Sequence, residues 1–493
     1  MLKSKPSLSR RKINNSGAEQ ELIIVSNRCP VSNLRKGAES ISIGGLTSAL
    51  HQVAMEQDAT WVFVSDNANY EYIKSGEEVP GINYNLVPVK FPEKVYKAYY
   101  NGYSNSLIWP LFHYFPDKCL FSDQDWEHYK TVNEEIAKNI AEIAKAKPNA
   151  KIWIQDYHLL LVADYLRKLG VGNKIGLFLH IPFPTYEIFR ILPQRQELLN
   201  AMLCYDLVGF HTKSYVSNFR RSVRRLVGQS LAPAGTYVIE NEGHSTHIYD
   251  FPISVDTQYI LDLNEAEATH KLSKDLREKI RQPYIGLGVD RLDYTKGIAH
   301  RLKALDLFFK LNPKYRGKLT FIQIAVPSRS QVGEYDKIKN EVEEMVARIN
   351  GQYGDLSWQP VIFINRSVPF QKLVSYFQIA DFALITPLRD GMNLVAKEFL
   401  LSKKPEASLI LSELAGAAEA LPGLDFVNPY NISQMAECIK DVIENPGKQS
   451  EVTLSHVEGL KNYDVHQWAR NFLSMLSEIE RSDESTRPVR QTI

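Results

Sequence analysis

Residues 386–398, TPLRDGMNLVAKE, set two carboxylates, Asp390 and Glu398, on either side of a glycine and a candidate helix cap. The run follows an apolar stretch at 382–385 with the length and composition of a buried strand, and leads into an amphipathic stretch at 394–401. This order predicts strand, tight turn and helix, with Gly391 at the turn and Asn393 as the cap. A helix reached through a glycine turn presents several unpaired backbone N–H groups, a natural seat for phosphate. Acids beside an anion seat are unfavourable unless they bind something uncharged, and sugar hydroxyls fit that need. Together these features describe a nucleotide-sugar site.

Ligands in open α/β sheets bind beyond the carboxyl ends of the strands. Residues after the other candidate strands therefore bear on the same chemistry. Ser26-Asn27-Arg28 follow the first strand, ahead of a loop ending in Gly44-Gly45. Asp156 follows the strand at 152–155, and His180 closes the one at 174–180. Arg291, Lys296 and Gly297 follow 284–289, and Pro327-Ser328-Arg329 follow 319–326. Arg291 and Lys296 suit a diphosphate whose negative charge grows as it leaves a sugar, although such a pair alone is more often a surface loop. Arg28 and Arg329 suit the phosphate of an acceptor, or else structural ion pairs. Asp156 suits an acceptor hydroxyl, and His180 a donor-sugar hydroxyl or the leaving side; a lone histidine at a strand end is more often structural. Tyr100 and Trp109, within YYNGYSNSLIWP, offer faces for sugar stacking or for a core. The functional reading rests on the joint occurrence of these residues at successive strand ends.

The elements that must position them alternate along the chain. Short β-branched and aromatic runs at 22–26, 61–65, 152–155, 174–180 and 207–210 form one series. Runs at 284–289, 319–326, 361–365, 382–386 and 408–412 form a second, with helical stretches such as 132–146 and 335–350 between them. Many are continuously apolar, as parallel strands buried on both faces are. The pattern predicts an α/β protein with doubly wound sheets, too many strands for one core, and two domains joined near residues 249–255. A cleft lined from both sides follows.

Composition excludes several classes. Lys+Arg 58 against Asp+Glu 57 gives no bulk charge for nucleic acid or an anionic membrane. The RRSVRR run at 220–225 reads as a solvated helix face rather than a nucleic-acid site. Cys29, Cys119, Cys204 and Cys438 stand far apart, so neither a zinc site nor a disulfide framework is indicated, and reduced thiols point to the cytoplasm. His244 and His247 read as part of a polar loop without metal-ligand company. No apolar run approaches the ~20 residues of a membrane span. Residues 1–20 are basic and Ser-rich without an apolar signal core, and 481–493 are polar; both read as disordered tails. Gly286-Leu287-Gly288 opens a dinucleotide fingerprint, but Arg291 stands where its third glycine belongs. No phosphate-binding P-loop, HExxH or GxSxG motif is present.

Longer segments carry a family resemblance: SNRCPVS at 26–32, YYNGYSNSLIWPLFHYFPD at 99–117, IWIQDYHLL at 152–160 and LHIPFPTYEIFRILPQR at 179–195. RLDYTKG at 291–297, VPSRSQV at 326–332, INGQYGDLSWQP at 349–360 and the opening motif complete the set. In these the chain resembles the trehalose-6-phosphate synthases, retaining glucosyltransferases of the GT-B architecture, over nearly everything but its tails. The resemblance implies two Rossmann-like, doubly wound domains facing each other across a deep cleft. It divides the chain into an acceptor domain at 21–250, a nucleotide-sugar domain at 251–465 and a helix at 466–480 that returns to the first domain.

The resemblance also implies roles. Glucose 6-phosphate would meet Arg28, Tyr100, Trp109, Asp156 and Arg329. UDP-glucose would meet Gly45, His180, Arg291, Lys296, Asp390, Gly391, Met392, Asn393, Leu394, Val395 and Glu398, with the last at the ribose. Transfer would retain the α configuration without a covalent enzyme intermediate, and Arg291 and Lys296 would stand in for a metal, so no cofactor is expected. Partners would be the small-molecule substrates, compatible with a homo-oligomer. One departure stands out: the family's W-F-G-W pattern reads Trp61-Val62-Phe63-Val64 here, so an aromatic is lost on the acceptor side. Related transferases with glycerol 3-phosphate or a cyclitol phosphate as acceptor, and a catalytically silent sugar-phosphate binder, are the alternatives.

Overall fold

The computed structural model describes residues 21–31, 33–37, 46–228, 237–241, 243–327 and 333–479. Eight strands form the first sheet: β1 (Leu22–Ser26), β2 (Ala59–Ser65), β3 (Asn85–Lys90), β4 (Lys151–Gln155), β5 (Ile175–Phe178), β6 (Leu207–Phe210), β7 (Val238–Asn241) and β8 (His244–Asp250). They lie in the order β3-β2-β1-β4-β5-β6-β8-β7, parallel except for the β7–β8 pair. Six more form the second: β9 (Tyr284–Arg291), β10 (Leu319–Val326), β11 (Val361–Ile364), β12 (Phe382–Ile385), β13 (Ser408–Ser412) and β14 (Asp425–Val427). Their order is β11-β10-β9-β12-β13-β14, all parallel. Each sheet thus contains the 3-2-1-4-5-6 order of doubly wound folds, whose crevice opens where the winding reverses. Those reversals fall between β1 and β4 and between β9 and β12, and the residues that follow these four strands face the cleft.

The central strands are apolar on both faces because helices cover both; β1, β5, β6, β12 and β13 are buried almost throughout. Four strands lie outside the sequence-based set. Of these β3 is an edge strand and carries Pro88, whose missing N–H is tolerated only at an edge. The others are the polar β7–β8 hairpin and the three-residue edge strand β14. His244 and His247 therefore sit on β8 and not in a loop; only Thr246 and Ile248 of that strand are buried, which hides its apolar period. Conversely, the strand expected at 174–180 runs only from Ile175 to Phe178, leaving His180 outside regular secondary structure.

The helix Val465–Glu478 buries Val465, Trp468, Ala469, Phe472, Leu473 and Leu476, one stripe at helical spacing. Asp464 caps it by accepting from the Gln467 N–H at 2.7 Å. Its stripe lies on the first sheet, with Phe472 stacked at 4.9 Å on Trp153 and Trp468 edge-on to Phe178. Gly176 and Gly209 make room, since a Cβ at either would stand 2.7 Å from the Phe472 ring. Burial of aromatic side chains of this kind contributes roughly 1.5–3 kcal/mol each. Among the described residues no helix is long and apolar enough to cross a membrane. The four cysteines are free thiols.

Candidate active site

A cavity of about 280 Å³ opens at the two winding reversals, lined by Arg28, Tyr100, Trp109, Asp156, His180, Arg291 and Asp390 among others. Residues distant in sequence and belonging to both sheets thus share one space. Arg28 donates to the Tyr100 hydroxyl at 2.6 Å, and the Tyr100 ring stacks on His158 at 5.6 Å. Tyr100 and Trp109 are carried by a π-helical stretch, Ala98–Ile108, and the short helix that continues it. Asn105 donates to the Tyr100 carbonyl and Ser106 to the Asn101 carbonyl, side-chain bonds that follow the same five-residue period. Such wide turns are rare and cluster at functional sites.

On the opposite wall, Lys296 donates to Asp390 Oδ2 at 2.6 Å, and Asn393 Nδ2 donates to the same oxygen at 3.0 Å. Burial pushes the Asp390 carboxyl upward, but Lys296, helped by the hydrogen bond from Asn393, holds it below the usual carboxylate value. Asn393 also caps the helix Leu394–Ser402, accepting from the Ala396 N–H at 3.1 Å. The first turn of that helix, with Leu394 and Val395, and the buried Met392 before it follow Asp390 directly. The backbone around Gly391 touches the other domain: a Cβ there would lie 2.3 Å from the His180 carbonyl oxygen. Close by, Tyr215 donates to the Asp390 carbonyl at 3.0 Å, so the two walls are already joined.

Further contacts cross the cleft. The Arg291 guanidinium lies over the Trp109 ring at 5.3 Å, and that of Arg389 over the Tyr114 ring at 4.0 Å. Three non-glycine residues among those described have positive φ: Tyr114 at 68°, Asp156 at 73° and Asn393 at 87°. All three stand at this cleft, where strain of the order of 1–3 kcal/mol per residue is held by the surrounding structure. Asp156 Oδ1 accepts from the His180 N–H at 3.2 Å, and His180 Nε2 meets Gln155 Oε1 at 3.0 Å.

His113, His180 and His211 are neutral. Burial lowers His113 and His211 to about 3, and burial followed by His211 drives His180 well below its ordinary value. They therefore act as hydrogen-bond partners, while positive charge comes from Arg28, Arg291 and Lys296. Glu398 stands apart: it does not line the cavity, is 6% exposed, and burial raises its carboxyl to about 7. Gly45 and Arg329 lie outside the described residues. Gln155, His113, Tyr215, Arg389 and Lys397 escaped the sequence reading. Of these only Gln155 leaves a signal, a polar residue closing the apolar strand KIWIQ.

With that geometry in place, comparison with known proteins adds lineage. The sequence model of glycosyltransferase family 20 matches residues 20–478. The chain belongs to glycosyltransferase family 20. It is 37% identical over 479 residues to the alpha,alpha-trehalose-phosphate synthase [UDP-forming] A of Dictyostelium discoideum, covering 96% of this chain and 64% of that protein. The chain thus spans slightly under two thirds of that relative's length. Among solved structures it resembles the E. coli trehalose-6-phosphate protein bound with UDP-2-fluoro glucose, with a TM-score of 0.85 and 31% identity over 94% of this chain and 100% of that one. A UDP-forming synthase from Burkholderia xenovorans in complex with glucose-6-phosphate has a TM-score of 0.83 and 31% identity over 93% and 100%. Membership of family 20 makes the chain a glycosyltransferase, and the two-sheet arrangement is the GT-B architecture of those neighbours.

Proposed function

We propose that the chain transfers glucose from UDP-glucose to the anomeric hydroxyl of glucose 6-phosphate, retaining the α configuration and giving trehalose 6-phosphate and UDP. The carrying observation is one cavity in which Arg28, Tyr100 and Asp156 of one domain face Arg291 and Asp390 of the other, with Lys296 behind Asp390 as its ion-pair partner and not itself lining the cavity. Both the relative and the ligand-bound neighbours bear names that agree with this reading.

In this reading Arg28, with Arg329, holds the acceptor phosphate, Tyr100 and Trp109 bound its ring, and Asp156 accepts from its hydroxyls. Asp390, His180 and the backbone from Gly391 to Val395 hold the donor glucose and phosphate, with Gly45 closing over it and Glu398 at the ribose. Gly45 and Arg329 are assigned from sequence alone. Arg291 and Lys296 receive the charge that develops on the diphosphate. Asp390 already accepts two hydrogen bonds and pairs with Lys296, and Asp156 accepts from the His180 N–H, so neither carboxylate is a free nucleophile. The acceptor hydroxyl attacks from the face the diphosphate leaves and its proton passes to a departing phosphate oxygen. The two cations supply the charge that a divalent ion would otherwise bring, so turnover should survive a chelator.

The test is incubation of the protein with UDP-, ADP- and GDP-glucose against glucose 6-phosphate, glycerol 3-phosphate and a cyclitol phosphate, following nucleotide release and product mass. UDP release that depends on glucose 6-phosphate is expected. Release that ignores the acceptor, or none with any pair, would remove the reading.

A further inference from the structure

Beside the reaction cavity lies a second and larger chamber of about 600 Å³. The two share Asn27 and Arg28, so they meet at the residue to which the acceptor phosphate is assigned. The chamber's apolar surface comes from Val64, Phe91 and Tyr96, and its polar rim from Asp66, Asn69 and Glu93. Arg28 is the only cation among its described lining residues.

The rim decides what the chamber can hold. Asp66 accepts from the Asn69 N–H at 2.8 Å as a helix cap, and Glu93 pairs with Lys97 at 2.6 Å. Two carboxylates repel a further phosphate, yet each keeps lone pairs for hydroxyl donors. Asn27 is 5% exposed and, among the described residues, its amide nitrogen meets no acceptor in bonding geometry, the Tyr96 hydroxyl lying beside it. A buried, unsatisfied donor of this kind costs about 1–3 kcal/mol, and an occupant with an acceptor oxygen would relieve it. Apolar walls, carboxylate acceptors and an amide donor together suit the hydrogen-bearing face and hydroxyls of a sugar ring.

We propose that the chamber is a subsite for a second, uncharged sugar unit, so that the acceptor range extends from glucose 6-phosphate to disaccharides phosphorylated on their reducing glucose. This rests on the reaction assigned above and uses the same step. The free anomeric oxygen of the reducing unit forms the new bond to C1 of the donor glucose. The bond from that C1 to the diphosphate breaks, UDP leaves with the electron pair, and the acceptor proton passes to the departing phosphate oxygen.

The experiment measures kcat/KM with UDP-glucose for glucose 6-phosphate and for maltose and cellobiose carrying phosphate on C6 of the reducing unit. At least one disaccharide phosphate should be used within about tenfold of glucose 6-phosphate, the discrimination expected of a pocket that accepts both. Val64→Trp fills the chamber and should lower the disaccharide-to-hexose ratio by about tenfold or more. Asp66→Asn keeps a capping oxygen and should lower the same ratio about threefold or more, a readout that survives if the tryptophan variant fails to fold. Turnover of glucose 6-phosphate but of neither disaccharide, or a ratio that moves in neither variant, overturns the proposal. Turnover of no acceptor at all overturns the underlying reaction as well.

Discussion

Replacing Glu398 by glutamine isolates a charge that the free protein holds at a cost and that the donor should relieve. The residue sits in the helix Leu394–Ser402, buried, and no described residue hydrogen-bonds its carboxylate. Burial raises its carboxyl from the ordinary 4.5 to about 7, so the native chain holds this proton more tightly than the unfolded chain. The resulting stability is fully present below about pH 4.5 and is lost as pH rises through 7. At ~1.36 kcal/mol per pH unit, the interval amounts to roughly 3 kcal/mol. The glutamine variant lacks this slope. It should match the wild type near pH 4.5 and exceed it by up to roughly 3 kcal/mol at pH 8. Thermal midpoints of both proteins across pH 5 to 8.5 read the difference directly. The same variant should bind UDP-glucose about ten- to 150-fold more weakly, the worth of about 1.5–3 kcal/mol for hydrogen bonds to a charged group. A midpoint difference that stays constant with pH, or a variant less stable at high pH, would show that the carboxylate has an ionic partner and refute the reasoning.

Lys296→Met should strand the Asp390 carboxylate and lower the unfolding midpoint by a cost of about 3–5 kcal/mol, and adding Asp390→Asn should restore stability without turnover; calorimetry and UDP release separate the two. Lys397 donates to the Ile253 carbonyl at 2.6 Å, and burial lowers its ammonium to about 7. Since its folded value lies below the ordinary one, stability should rise as pH climbs from about 7 toward 10.5, and Lys397→Met should abolish that rise in denaturant titrations. Gly391→Ala should reduce turnover by about a hundredfold or more by driving a Cβ into His180 across the cleft. Its melting temperature should move little, because the two domains can separate to relieve the clash.

The fold was legible where burial is continuous. The bounds of β1, β6, β10 and β13 coincide with their apolar runs because both faces of those strands are covered. Legibility failed at the sheet edges. Pro88 interrupts β3, and polar side chains on β8 conceal the pattern around Thr246 and Ile248. The same division runs through the cleft. Asp156 and Asp390, which follow strands at the winding reversals, and Arg291, which closes one, announce themselves by that position. Tyr215 and Lys397 do not, since their partners Asp390 and Ile253 lie more than a hundred residues away and leave no local pattern. Val64 shows its consequence only in space, as part of the wall of the second chamber.

The helix Val465–Glu478 also bears on the order in which the chain becomes protein. Trp468 and Phe472, which cover the aromatic face formed by Trp153 and Phe178, are made long after it. That part of the first sheet must therefore wait uncovered while some three hundred residues follow at the ~5–20 per second of translation. During that interval its exposed rings are a surface for chaperones or for aggregation. Removal of this helix would make the interval permanent, so its loss would be felt first in the domain that holds the first sheet.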